Sequence, residues 1–433
     1  MTESDSPVIV VTGIDAVAWN PGWEDAFLQS GYFVIGIDKV DSPYLNSPAV
    51  ERMSRTGNII RLRGTTPSVL INAVAAVVLR RPVAAVINLR DAWILSAAIL
   101  SEVLGKQGVG LRAAVIGRDK ALQRALLPDL SPHTLFLEGR SDPAVSTWSD
   151  FPAVLKPAEG TGGSGVSVVD DQTSLKDALD VLSTGSPLLV ESLVLGPEYS
   201  VESLVRANDI VFAGITCKKN DEIGGHFVEI SHTVGPVEAI QSWELLLHAN
   251  AAAVNALGIQ YGMVHAEFRL PESGPSLMEL NVRPPGGSIV ALYSLAMGVS
   301  FERIIVETLL GHVVAMPKAV RIARQGYLPN TTGILTDVAG EMDGVGPEWV
   351  EGGDDIRVPK ATNGDGPGGI KAVHVGAVRG QAIQKWQNNK DRVVGYLLDA
   401  ADERELGSLE EEVRRQFSMS IEPLTSNDSL DSC

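Results

Sequence analysis

The chain begins with continuous apolar runs at residues 7–11 and 32–37, separated by a helix-period stretch at 23–30. The same alternation returns as an apolar run at 83–88 followed by a helical pattern at 92–104. Apolar strands interleaved with helices at this spacing predict a parallel sheet with crossover helices. The expected unit is a small doubly wound α/β domain over residues 1–112.

A helical segment at 119–127 and a turn at 128–132 lead into a different pattern. Short strands are expected at 153–156, 166–169, 188–191, 199–206 and 210–217, with a helix at 174–182. The turn Ala207-Asn208-Asp209 predicts antiparallel pairing of its flanks. Residues 113–235 therefore read as one compact α+β lobe. A long helical run at 237–257 opens the next unit, followed by strands at 260–270 and 276–282 and helices from 289 to 310. This second lobe is expected to extend to residue 420. It includes a loop at 362–369 (TNGDGPGG), a strand plus helix at 393–417 and, after it, a tail at 421–433.

Composition narrows the class. Apolar residues are 45% and charged residues 20% of 433, with 43 glycines, as in a globular enzyme rich in turns. A formal net charge of −18 repels phosphate backbones and anionic lipid, which disfavours nucleic-acid or membrane partners. The apolar windows at 69–79 and 83–89 are each too short to cross a bilayer and are split by Arg80-Arg81-Pro82. The only cysteines are Cys217 and Cys433, and acids stand where a signal peptide needs bases, so a cytoplasmic protein is expected.

Between the strands at 153–156 and 166–169 lies Glu159-Gly160-Thr161-Gly162-Gly163-Ser164-Gly165. Gly160, Gly162 and Gly165 satisfy G-x-G-x-x-G, a pattern that by itself matches many proteins. A dinucleotide site requires strand, glycines and helix, whereas these glycines join two strands and predict a hairpin flap. Such a flap lets backbone N–H groups, including those of Gly163 and Ser164, approach phosphate oxygens, and Lys156 adds a point charge. A flexible hairpin without a ligand is the alternative.

Period-two alternation puts His265, Glu267 and Arg269 on one face of the strand 260–270. In the next strand it puts Glu279, Asn281 and Arg283 on one face and Met278, Leu280 and Val282 on the other. The short link 271–275 predicts a hairpin that sets Glu267 beside Glu279. Glu267, Glu279 and Asn281 are hard oxygen ligands suited to Mg²⁺, and Arg283 could stabilise phosphoryl charge. A solvated sheet face is the alternative for either strand alone. Arg283-Pro284-Pro285-Gly286-Gly287 then leads into a helix, a rigid segment suited to holding a substrate at Gly286 and Gly287.

Taken in order, these motifs resemble the ATP-grasp superfamily over residues 115–310. The motifs are Lys156 with its flap, Glu191-Ser192-Leu193-Val194, the segment Gly196-Pro197-Glu198-Tyr199, and Glu267 with Glu279-x-Asn281-x-Arg283-Pro284. The resemblance implies an ATP-grasp fold behind an N-terminal doubly wound pre-grasp domain. It further implies that Lys120 and Lys156 meet nucleotide phosphates. Glu191, Ser192, Leu193 and Val194 would form the hinge against adenine, with the Glu191 side chain on the base, and Glu198 would reach the ribose. The loop His226-Phe227-Val228-Glu229-Ile230-Ser231-His232 is similar to one in bacterial L-amino-acid ligases, which implies an amino-acid site at Glu229 and His232. A lone His232 would otherwise read as structural. Ser231 and Pro285 depart from the usual pattern.

The implied activity is ATP- and Mg²⁺-dependent ligation of a carboxylate to an amine through an acyl phosphate, with amino acids as small-molecule substrates. Homodimers are common among such proteins. A biotin-carboxylase-like or purine-pathway ATP-grasp enzyme is the nearest rival, and the 226–234 loop argues against both. A nucleotide-binding regulator without turnover is the rival from another class, and the set of metal ligands argues against it.

Overall fold

The computed structural model describes residues 7–42, 44–78, 80–160, 165–182, 186–223, 226–349 and 366–424. The N-terminal sheet contains strands β1 (Val8–Thr12), β2 (Phe33–Lys39), β3 (Asn58–Leu62) and β4 (Val83–Asn88) in the order β3-β2-β1-β4, all parallel. Alternation along β1 divides its buried side chains between two cores. Ile9 and Val11 pack with Trp23 and Phe27 of helix α1 (Gly22–Gln29) and Met53 of α2 (Pro48–Thr56). Val8 and Val10 pack with Leu70 of α3 (Pro67–Val78) and Leu100 of α4 (Ile94–Val103). Helices on both faces of a parallel sheet make this unit doubly wound, as expected.

Two short helices, α5 (Leu111–Ile116) and α6 (Lys120–Leu126), lead to a small antiparallel sheet of β5 (Thr134–Leu137), β6 (Ala153–Pro157), β7 (Ser167–Val169) and β8 (Leu188–Ser192), ordered β5-β8-β6-β7. Helix α7 (Gln172–Val181) packs Leu175 and Leu179 on one face of it, against Leu155 and Val190. The pairing of β6 with β7 makes the glycine segment the turn of a hairpin. Gly162, Gly163 and Ser164, within that turn, lie outside the described residues.

The large sheet takes in β9 (Glu198–Arg206), β10 (Asp209–Ile223), β11 (His226–Val234), β12 (Tyr261–Arg269) and β13 (Ser276–Asn281). The β9–β10 turn holds Ala207 and Asn208 at φ 52° and 69°, as a two-residue hairpin requires. Helices α8 (Trp243–Leu257), α9 (Ile289–Met297) and α10 (Phe301–Leu309) pack on this sheet. From the C-terminal region, β14 (Ile322–Leu328), β16 (Pro347–Trp349), β17 (Gly369–Val375) and β19 (Val394–Ala400) extend the sheet. Its order among the described residues is β13-β12-β9-β10-β11-β14-β19-β17-β16. A three-stranded sheet of β15 (Gly333–Ala339), β18 (Ala382–Ile383) and β20 (Ser418–Glu422), together with helix α11 (Glu403–Gln416), completes the C-terminal part.

Two expectations are corrected here. The lobe read as running from 113 to 235 is divided by its hydrogen bonds: the small sheet ends at Ser192, and Glu198–Val234 belongs to the large sheet. Strand spacing alone cannot tell which sheet a hairpin joins. The tail was expected from residue 421, yet Ile421 and Glu422 pair with Leu335 and Ile334. Residues 425–433 lie outside the described set. Among the described residues no single helix is long and apolar enough to cross a membrane.

A buried carboxylate adds to the apolar packing between the N-terminal unit and the large sheet's helices. Glu302 on α10 accepts from Asn20 Nδ2 at 2.7 Å and from Ser294 Oγ of α9 at 2.7 Å, and it is only 2% exposed. Replacing Glu302 by Ala removes the acceptor shared by Asn20, Ser294 and Ser300, at a cost of about 2–3 kcal/mol. A lowered thermal unfolding midpoint is the expected result, and an unchanged midpoint would remove Glu302 from the docking contacts.

Candidate active site

A cavity of about 230 Å³ opens between the small sheet and the β12–β13 edge of the large one. Alternation along β6 directs Ala153 and Leu155 into the small lobe's core and leaves Val154 and Lys156 on the cavity side. Val154, Val166, Leu193 and Met278 give the slot apolar walls, suited to a flat aromatic base. Lys120, Lys156 and Gly160 line it too, as do Glu267 and Glu279. Gly165, where the flap rejoins β7, has φ +75°, and a Cβ there would stand 3.1 Å from Pro157 Cγ.

Helix α6 holds the two sides together, because Lys120, Gln123 and Arg124 share one face of it at i, i+3, i+4 spacing. Gln123 pairs with the edge strand β13 as a neighbouring strand would. Its Nε2 donates to the Leu280 carbonyl at 2.9 Å, and its Oε1 accepts from the Leu280 amide at 3.0 Å. Arg124 Nε donates to Glu191 Oε1 at 2.7 Å and Arg124 Nη2 to the Met278 carbonyl at 2.7 Å. Lys120 Nζ lies 3.0 Å from Glu279 Oε1 and donates to the Gly160 carbonyl at 3.1 Å.

Glu191 is placed differently from its expected role on the base. Its other oxygen pairs with Lys156 Nζ at 2.6 Å, so the buried carboxylate is taken up by Arg124 and Lys156. Burial pushes this carboxyl upward, but the two cations outweigh it and hold Glu191 below the usual range. Lys156 is pushed down to about 8, chiefly by burial, with Arg124 and Lys120 adding repulsion against the pull of Glu191. Ser192 bonds to Asp150. The Val194 carbonyl accepts from Arg269 Nη1 at 3.0 Å.

The carboxylate strands pair in the expected register, with Glu267 directly opposite Glu279. Asn281, one alternation further along β13, stands opposite His265 and is buried outside the cavity lining. His265 bridges two carboxylates, with Nδ1 2.9 Å from Glu202 and Nε2 3.0 Å from Glu267. Burial alone would lower its pKa, but these two anions outweigh it and raise it to about 10.

The residue that sequence reading missed is Lys218. On β10, 2% exposed, its Nζ sits 3.0 Å from Glu198, 2.6 Å from Glu229 and 2.9 Å from Glu267. Glu229 and Glu267 are both held well below the usual carboxylate range, since Lys218 outweighs the upward push of burial. Glu198 also accepts from Asn220 at 2.6 Å. Glu229 is therefore already paired with a cation of the chain itself. It also approaches His232 Nε2 at 3.2 Å and Arg392 Nη1 at 3.5 Å. A signal for Lys218 was available: alternation puts it on the same strand face as Thr216 and Asn220.

A second cavity, of about 450 Å³, adjoins the first and shares Asn389 with it. Arg283, Gly286 and Gly287 line this one rather than the nucleotide-shaped slot. Arg283 Nε donates to Asp91 at 2.7 Å and Nη1 to the Pro284 carbonyl at 2.7 Å. Glu229 lines the first cavity, and His232 packs behind Gly287.

A slot between an antiparallel lobe with a glycine hairpin and a sheet edge bearing paired glutamates defines an ATP-grasp domain. Residues 149–291 match the ATP-grasp domain model, so this chain carries an ATP-grasp domain over that span. An L-amino acid ligase from Bacillus licheniformis has a similar structure, with a TM-score of 0.76, 18% identity, and coverage of 97% of this chain and 100% of that one. An uncharacterized protein, y4rH, of Sinorhizobium fredii is 30% identical over 202 residues, 45% of this chain and 40% of its own length. The N-terminal section of the carbamoyl phosphate synthase large chain from Aquifex aeolicus is 30% identical over 172 residues, 38% of this chain and 30% of its own length. The chain thus spans well under half of these two curated relatives.

Two predictions come from the buried charges. Lys218→Met leaves three carboxylates without their shared ammonium and should cost about 3–5 kcal/mol at neutral pH. Glu229 and Glu267 then lose the main cation that holds them low, and burial pushes them up, so the variant's deficit in unfolding midpoint should shrink as pH falls from 8 to 5. A deficit independent of pH would contradict this. The second concerns Lys156, whose charge is lost as pH rises through about 8. Calorimetry should find ATP affinity of the free protein falling across pH 7–9.5, and Lys156→Arg, whose guanidinium stays charged, should flatten that fall. An equally steep fall in the Arg variant would assign the titration elsewhere.

Proposed function

We propose that this chain is an ATP-dependent carboxylate–amine ligase with an amino acid among its substrates. The observation that carries the reading is the pair of adjoining cavities. One is an apolar-walled slot with two lysines and two opposed glutamates, and the other is larger and begins at Arg283 and Gly286-Gly287. The similarity to an L-amino acid ligase along nearly the whole chain supports the same reading.

In this reading the adenine lies between Val154, Leu193 and Met278, the ribose lies toward Glu198, and Lys120 and Lys156 meet the phosphates under the flap. Gly160, Gly165 and the flap residues between them would supply backbone donors. Glu267 and Glu279 fit a hard divalent cation, since both are carboxylates, directly opposed and open to one cavity. Mg²⁺ bound there would neutralise charge on the transferring phosphoryl group. Asn281 would need to turn toward the slot to join them. A substrate carboxylate oxygen attacks the γ-phosphorus and ADP departs. The amine nitrogen then attacks the acyl carbon, loses a proton, and displaces orthophosphate. Arg283, at the boundary of the second cavity, is the cation suited to the oxyanion of that step. Glu191 and Arg124 act by seating Lys156. Glu229 lines the first cavity, and His232, 3.2 Å from its carboxylate, can hold it for contact with the amino acid.

The test is product analysis with ATP, Mg²⁺ and a panel of amino acids. ADP and orthophosphate should accumulate in equal amounts only when an amino acid is present. AMP and pyrophosphate as products would replace the acyl phosphate by an adenylate and overturn the reading.

A further inference from the structure

The second cavity has two chemically distinct ends. One end is cationic and polar. Arg283 spends Nε and Nη1 on Asp91 and Pro284, and Arg392 spends Nε on Asn389 and Nη1 on Glu229, so among the described residues each guanidinium retains an Nη2. Gly286, Gly287 and Ser288 line the same space where α9 begins, and the N-terminus of a helix favours an anion. His374 contributes a ring that is 6% exposed, with Nδ1 lacking any hydrogen-bond partner among the described residues. Burial, reinforced by Arg392, pushes His374 down to about 4, so it enters as a neutral imidazole able to accept or donate one hydrogen bond.

The other end is aromatic and comes from the N-terminal domain. Trp19 and Tyr44 form an edge-to-face pair with centroids 4.7 Å apart and planes at 78°. Both line the cavity and remain half-exposed rather than joining a core. Tyr327 lines the cavity on the cationic side, with the Arg392 guanidinium 4.3 Å from its ring centroid. Large rings left in a walled cavity of about 450 Å³ are matched by a ligand that presents a ring to them. A phosphate or a small amino acid would satisfy the cationic end and leave this wall wet.

We infer that the second cavity selects an amino acid with an aromatic side chain, its carboxylate toward Arg283 and the start of α9 and its ring against Trp19 and Tyr44. This inference rests on the ligase reading for its place in a reaction but not for the binding itself. The N-terminal domain thereby acts as a specificity wall for chemistry centred on the other two sheets.

Calorimetry on the full chain tests it directly. L-phenylalanine should bind at least about tenfold more tightly than L-alanine. Phenylethylamine, which lacks the carboxylate, should lose about tenfold or more against L-phenylalanine. Trp19→Ala should erase most of the phenylalanine preference, and Tyr44→Leu gives a second variant that keeps an apolar wall without the ring. Retained ATP affinity shows that either variant is folded. Equal affinity for L-alanine and L-phenylalanine, or a preference that survives both variants, overturns the inference. The two readings fail separately. Turnover with small amino acids only would keep the ligase and remove the aromatic wall. Tight phenylalanine binding, sensitive to Trp19 and without any ADP release, would keep the wall and remove the ligase.

Discussion

The Lys218 ammonium, bonded at once to Glu198, Glu229 and Glu267, is the interaction on which the rest of this site depends. These four residues come from four adjacent strands, β12, β9, β10 and β11. Three carboxylates this close could not all stay ionised in a buried setting without a shared cation. With it, each is held in a fixed place and charged. The sheet face therefore carries preformed anions along the first cavity. Lys120 does the same for Glu279 on the opposite strand. The site before ligand arrives is a set of internal ion pairs whose members have the charges that a nucleotide and a divalent cation would need. Binding then becomes an exchange of partners, which avoids the large penalty of leaving any of these charges buried alone.

Partner exchange works only if the walls stay in register while charges move, and α6 supplies that rigidity. Its three polar side chains reach the flap at Gly160, the β8 end at Glu191 and the edge strand β13 at Met278 and Leu280. An edge strand with unpaired backbone groups is a liability, and Gln123 removes it by completing the ladder at Leu280. The same contact fixes the height of Glu279 relative to Lys156. Packing and electrostatics are thus not separate layers here, because the helix that closes the sheet edge also delivers Lys120.

Much of this was legible in the sequence wherever a local period carried it. Alternation identified the faces of β12 and β13, the short link set Glu267 against Glu279, and flanking strands showed that the glycines formed a hairpin. What escaped was decided by partners far along the chain. Glu191 reads as a base-binding residue until Arg124, 67 positions earlier, is seen to hold it. Glu229 reads as a free anion until Lys218 arrives from the neighbouring strand. Arg283 reads as a phosphate ligand until Asp91, 192 residues away, draws it to the second cavity. The segment containing α2, β3 and α3 was not resolved into elements, since α3 is apolar almost all round and lacks a clear helical stripe.

The region beyond Gly311 carries no readable motif, yet it is what makes the two cavities communicate. Asn389 lines both, and its Oδ1 accepts from the Glu229 amide at 2.9 Å. Arg392, three residues on, donates to the Glu229 carbonyl at 3.0 Å and lies over Tyr327. Glu229 is thereby gripped through its backbone by the C-terminal part while its carboxylate is shared among Lys218, His232 and Arg392. A residue held by its main chain can change which cation its side chain favours without moving its strand. Filling the second cavity would compete for Arg392, and that competition would alter how strongly Glu229 holds Lys218. Because Lys218 also holds Glu267, occupancy of one cavity would be felt electrostatically at Glu267 in the other. No hinge motion is needed for that coupling, only a redistribution of bonds among charges already in contact.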